Sequence, residues 1–121
     1  MKYKVAIAST DGVTVNQHYG KADYFYIALA DSESKTFEYI EKRAVIPICK
    51  GRQHDDNALL ESALKLKDCQ YVLAGQIGYL AEIVLIQEGL GVFELPGKVE
   101  ESLNRLFTYI QLQQCYHRFV K

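Results

Sequence analysis

The hydrophobic period of this chain changes partway along, and that change fixes the order of its secondary structure. Lys4 to Ser9 is a short apolar run, and Tyr24 to Leu29 is a second run rich in aromatics. Asp31 to Lys35 reads as a turn into Thr36 to Arg43. There Phe37 and Tyr39 alternate with Glu38 and Ile40, the two-residue period of a strand. Beyond Asp55 or Asp56, either a good N-cap, the spacing lengthens to three and four. Leu59, Leu60, Ala63 and Leu64 then form one helical face.

Short apolar runs and helical stretches alternate from there to the end. Gln70 to Gly75 reads as a buried strand, Tyr79 to Glu88 as a helix stopped by Gly89, and Gly91 to Leu95 as a strand closed by Pro96-Gly97. A last helix begins near Lys98 with the stripe Val99, Leu103, Leu106, Phe107 and Ile110. Glu100 and Glu101 in its first turn suit the helix dipole. The order β-β-β-α-β-α-β-α predicts an α/β fold: one mixed five-stranded sheet with helices on its faces. This is the element order of ribonuclease-H-like folds. With 121 residues and no linker or repeat, residues 1–121 read as a single domain.

Composition removes several function classes. A net charge of −1 without any basic run argues against general binding to nucleic acid or to a membrane surface. The longest apolar stretch, Leu80 to Ile86, is far short of a membrane span. Met1 to Ala8 lacks the apolar length and cleavage site of a secretory signal. Three widely and irregularly spaced cysteines make no disulfide framework, so a reducing cytoplasm is the expected location.

Two loop segments concentrate ligand chemistry. Val15-Asn16-Gln17-His18-Tyr19-Gly20 lies between the first two strands. In it Asn16 and Gln17 can hydrogen-bond a ligand or close the turn locally, and His18 can bind a metal or only cap a loop. Cys49-Lys50-Gly51-Arg52-Gln53-His54 precedes the first helix. A thiolate with an imidazole suits iron–sulfur clusters, zinc or copper far better than magnesium. Lys50 and Arg52 would lower the pKa of Cys49 and attract an anion. The plainer alternative is a buried Cys49 with a solvated His54. Gln76-Ile77-Gly78 reads as a strand-to-helix turn able to receive an anion, and Tyr19 and Tyr79 could border a pocket. Cys69 and Cys115 read as ordinary free cysteines, the second in a segment expected to fray. Asp11, Asp55 and Asp56 raise an enzymatic rival, divalent-metal phosphoryl hydrolysis. Helix-start aspartates are, however, explained by about 0.3–1 kcal/mol each of dipole stabilisation.

Read in order, these segments resemble the dinitrogenase iron–molybdenum cofactor-binding family. The matching pieces are Lys4-Val5-Ala6-Ile7-Ala8-Ser9, Val15 to Ala22, Cys49, His54-Asp55-Asp56 and Leu66-Lys67-Asp68-Cys69. They continue through Gln76-Ile77-Gly78, Glu88 to Glu94 and Gly97 to Glu101. The resemblance implies a ribonuclease-H-like domain that binds an iron–sulfur cluster, or the iron–molybdenum cofactor or its precursor, as transient cargo without catalysis of its own. By motif position it makes His18, Cys49 and His54 the candidate metal ligands, with Asn16, Lys50 and Arg52 as further cofactor contacts. Implied partners are a cofactor-assembly protein or apo-dinitrogenase. The glycine-rich stretch that often follows the family's cysteine is Lys50-Gly51-Arg52-Gln53 here, and no radical-SAM Cys-x3-Cys-x2-Cys motif is present. A regulatory or protein-interaction module of the same fold without cargo is the competing expectation.

Overall fold

A computed structural model describes residues 1–47 and 56–119 of the chain. In chain order the elements are β1 (Lys2–Ile7), β2 (Thr14–Val15), a 3-10 turn (Tyr19–Lys21), β3 (Tyr24–Asp31), β4 (Thr36–Ala44), α1 (Asp56–Lys65), β5 (Tyr71–Ala74), α2 (Tyr79–Gln87), β6 (Gly91–Glu94), β7 (Gly97–Lys98) and α3 (Val99–Phe119). Five strands make one mixed sheet in the order β4-β3-β1-β5-β6. β3 is antiparallel to both β4 and β1, while β1, β5 and β6 are parallel. The strand and helix order expected from the period is therefore present.

Each sheet face buries one set of alternating side chains, as the pleat requires. Ala6, Phe25, Ile27, Val72 and Ala74 face α1 and α2, meeting Leu59, Ala63, Leu66, Ala81 and Leu85. Val5, Ile7, Ala28 and Leu73 face α3, where they meet Val99, Leu103, Leu106, Phe107 and Ile110. The apolar stripe read for the last helix is thus its buried face.

Four details differ from the periodicity. The inward face of α1 is Leu59, Ser62 and Ala63, continued by Leu66 just past its end, whereas Leu60 and Leu64 are 43% and 47% exposed. A serine in the inward stripe disguised the phase. The alternation of β4 breaks at Ile40. Ile27 opposes Glu41 and Ala28 opposes Tyr39, so Ile40 is the extra residue of a bulge and stays exposed. β2 and β7, two residues each, pair Thr14 with Lys98 and Val15 with Gly97 in a small antiparallel ribbon. Finally, α3 runs unbroken through Cys115 to Phe119.

The ribbon begins a series of ties that fix the long loop after β1. The Val99 N–H donates to the Val13 carbonyl at 2.8 Å. Tyr24 and Tyr39 reach across from β3 and β4, their hydroxyls donating to the carbonyls of Thr10 (2.7 Å) and Gly12 (2.6 Å). Ser9, buried at the end of β1, accepts from the Gly12 N–H at 2.9 Å. Near the open end of the sheet, Gly75 passes so close to this loop that a Cβ there would lie 3.3 Å from the Gln17 carbonyl oxygen.

Two outcomes follow from this packing. Gly75→Ala presses on backbone that is hydrogen-bonded on both sides, so we expect a loss of about 1–3 kcal/mol in urea unfolding; unchanged stability would show that the two loops have room to separate. Tyr19 is 2% exposed, and burial pushes its pKa up to about 12 from the ordinary 10. A raised folded pKa gives stability that is complete below pH 10 and lost as pH rises through 12. Between pH 10 and 12 Tyr19 should therefore cost the parent on the order of 2–3 kcal/mol of stability. Burial also raises the Tyr39 hydroxyl to about 12 and the Cys69 thiol to about 11, so the alkaline slope should become shallower in Tyr19→Phe without vanishing; an identical slope in both would show that Tyr19 does not contribute.

Candidate functional site

In open α/β sheets, ligands gather at the carboxyl ends of parallel strands. Here β1 and β5 end side by side, and Ala8 to His18 and Gly75 to Gly78 are the loops that leave them. β4 points the same way as β1, since both oppose β3. It delivers the chain to that same edge, and α1 returns it to the start of β5.

His18 is held there by main-chain bonds on either side. The Gln17 N–H donates to the Ala8 carbonyl (3.3 Å), and the Gly75 N–H to the Gln17 carbonyl (2.9 Å). The Tyr19 N–H donates to the Gln76 carbonyl (2.8 Å). His18 itself bridges Gln76 in parallel, in extended conformation with φ −72° and ψ 138°. Gln17 to Tyr19 thus behaves as a short strand laid against the end of β5. The imidazole of His18 stays exposed.

Tyr19 does not border a pocket, as its glycine neighbour had suggested. Its ring is buried against Phe25, with ring centroids 5.5 Å apart, and its hydroxyl pairs with that of Ser62 on α1. Asn16 closes the turn on itself: its Oδ1 accepts from the Thr10 N–H (3.0 Å) and its Nδ2 donates to the Thr10 hydroxyl (2.8 Å). Asp11 is likewise a loop builder. Its Oδ1 accepts from the Val13 and Thr14 N–H groups, both at 2.9 Å, and from the Ser9 hydroxyl at 3.1 Å. These backbone donors hold its carboxyl below the usual carboxylate range.

The turn after β5 is only partly available to an anion. The Ile77 N–H already donates to Glu94 Oε1 at 2.8 Å. α2, however, starts at Gly78 without a side-chain cap, and the next residue, Tyr79, is 77% exposed. The first N–H groups of a helix lack internal partners and favour negative charge. An exposed imidazole beside such a helix start can coordinate a metal in an anionic group while the main chain supplies donors.

Cys49, Lys50, Arg52, His54 and Asp55 lie outside the described residues. Among the described residues, no group of three or more His, Cys, Asp or Glu is placed to hold a metal. Cys69 is buried, and burial pushes its thiol up to about 11, which keeps it protonated. Cys115 is exposed on α3, which packs on the sheet face opposite α1 and α2. Sequence reading missed Ser62 and Gly75 as supports of the site. The glycine between the β5 run and the α2 start was the only signal for Gly75, and Ser62 offered none. Among the described residues, no helix is long and apolar enough to cross a membrane.

Comparison with known proteins bears on the fold and the family. A protein from Chlorobaculum tepidum, the FeMo cofactor biosynthesis protein NifB, is 36% identical over 104 residues. The match covers 86% of this chain, which spans about a quarter (24%) of that relative. An NMR structure of a Thermotoga protein provisionally named NifB superposes with a TM-score of 0.54 at 24% identity, covering 86% of each chain. A crystal structure of a provisionally named dinitrogenase from Methanocaldococcus jannaschii gives 0.57 at 12% identity, covering 89% of this chain and 90% of that one. At these identities the two structures support the fold. The family model described as dinitrogenase iron–molybdenum cofactor matches residues 1–109, and the chain belongs to that family.

Proposed function

We propose that this protein binds and carries an iron–sulfur-based metallocluster, the iron–molybdenum cofactor or a precursor of it, as an accessory to nitrogenase-type cofactor biosynthesis. The observation that carries this reading is the position of His18: exposed, fixed by main-chain bonds at the carboxyl edge of β1 and β5, and beside the uncapped start of α2. β4 leads the chain to that edge just before Cys49 and His54 occur in sequence. In this reading the sheet order is that of a ribonuclease-H-like fold, the protein acts in the cytoplasm, and it catalyses no reaction of its own.

Each chemical role falls to a named residue. Cys49 supplies a thiolate for iron, and His18 and His54 supply imidazoles for iron or for a molybdenum-type centre with an open position. Lys50 and Arg52 balance the negative charge of the cargo, and the helix starts add main-chain donors. A carrier must also let go. Three protein ligands hold a cluster less completely than a closed four-cysteine cage, which leaves room for an assembly protein or apo-dinitrogenase to compete for the metal.

Anoxic reconstitution with iron and sulfide tests the assignment. The parent should gain visible absorption and matched iron and sulfide, whereas Cys49→Ala and His18→Ala should lose most of both. Equal cluster content in all three proteins would overturn the site. Asp11→Asn should leave cluster content unchanged in folded protein; loss of the cluster there would implicate the first loop's carboxylate in place of its imidazole.

A further inference from the structure

The two edges of the sheet are built differently. β4 closes one edge with Glu38, Glu41, Lys42 and Arg43 and a bulge at Ile40, devices that keep an edge strand from pairing. β6 closes the other with Gly91-Val92-Phe93-Glu94, whose one charged side chain, Glu94, already accepts from the Ile77 N–H. The Gly91 and Leu95 N–H groups donate to the Gln70 and Ala74 carbonyls along β5. By the two-residue period, the N–H and C=O groups of Val92 and Glu94 therefore point to the open side. Apolar surface flanks this edge on both faces. On one lies α2, the crossover from β5 to β6, whose Leu80 and Ile86 are 53% and 55% exposed. On the other, the Tyr109 ring of α3 lies 4.8 Å from that of Phe93, which turns this side of α3 towards β6. Leu112 and Tyr116, on the same side by helical spacing, are 65% and 64% exposed.

We infer that the β6 edge is an interface with a second copy of this chain, joined antiparallel about a two-fold axis that passes between the two Phe93 residues. In that register Val92 faces Glu94 of the second copy, and Glu94 faces its Val92. Each pair exchanges both main-chain hydrogen bonds, so every open N–H and C=O group of Val92 and Glu94 is satisfied. The two Glu94 carboxylates lie towards opposite ends of the seam, so like charges are not opposed. The same rotation brings the two α2 helices to one face of the joined sheet and the two α3 helices to the other. Each exposed apolar side then has its match in the second copy. An extended peptide from another protein would fill the edge but leave the apolar sides of both helices in water, so the second copy is the better fit. The interface is independent of whether the chain carries a cluster.

Sedimentation equilibrium and hydrogen exchange on the full chain test this directly. Between about 1 μM and about 1 mM, a range that spans weak to moderate self-association, the parent should pass from monomer to dimer mass. Ile86→Lys and Leu112→Lys replace exposed side chains, so both variants should keep the parent's thermal midpoint while weakening the dimer about ten-fold. The amides of Val92 and Glu94 should exchange on the order of ten-fold more slowly at the concentrated end than at the dilute end, because only the dimer gives them acceptors. Amides on the β4 edge should show no such dependence. A parent that stays monomeric at about 1 mM overturns the inference and leaves the edge to an extended segment of another protein. A dimer that both lysine variants leave intact, or whose formation does not slow exchange at Val92 and Glu94, forms through a different surface and overturns it equally.

Discussion

The site depends on a short piece of main-chain pairing, Gln17 to Tyr19 against Gly75 and Gln76. Everything near it can be read as supporting or using that pairing. Gly75 has no side chain because the Gln17 carbonyl lies 3.3 Å from where a Cβ would be. Tyr24, Tyr39, Ser9 and the β2–β7 ribbon pin the preceding loop from three directions. The loop after β1 is therefore tied by hydrogen bonds to the sheet it leaves. A preorganised ligand loses little conformational entropy on binding.

Much of the architecture was legible in the sequence because long segments repeat one period. The five sheet strands, three helices and the buried stripe of α3 all come from that signal. What stayed hidden is short or polar. β2 and β7 have two residues each, too few to show an alternation. The inward face of α1 was misphased because Ser62 is polar by composition but buried by virtue of Tyr19. The bulge at Ile40 shifts the register within a strand whose pattern looked regular at its start.

The candidate site was legible in a different way. His18, Cys49 and His54 were singled out by residue chemistry and by family resemblance. The fold adds that β1 and β4 point to one edge of the sheet, so the chain leaves both strands at the same end. The supporting residues could not be inferred from chemistry. Asn16 and Asp11 look like ligands or acids in the sequence, yet both spend their polar atoms on the turn around Thr10 and Val13. Local side-chain-to-backbone bonds of this kind are a common use of Asn and Asp in loops. Tyr19 looks like a pocket-lining aromatic and is instead a buried strut.

Fold and family do not by themselves fix a cargo, since one fold can host unrelated functions. The central proposal is that this chain holds an iron–sulfur-based metallocluster of the iron–molybdenum cofactor type, the cofactor itself or a precursor. The most direct measurement adds isolated iron–molybdenum cofactor to the protein under anoxic conditions, followed by gel filtration and metal analysis of the protein peak. Molybdenum and iron co-eluting with the parent, and largely absent from the Cys49→Ala peak, is the result expected of a carrier. Metal-free parent protein, with the cofactor eluting separately, would contradict it.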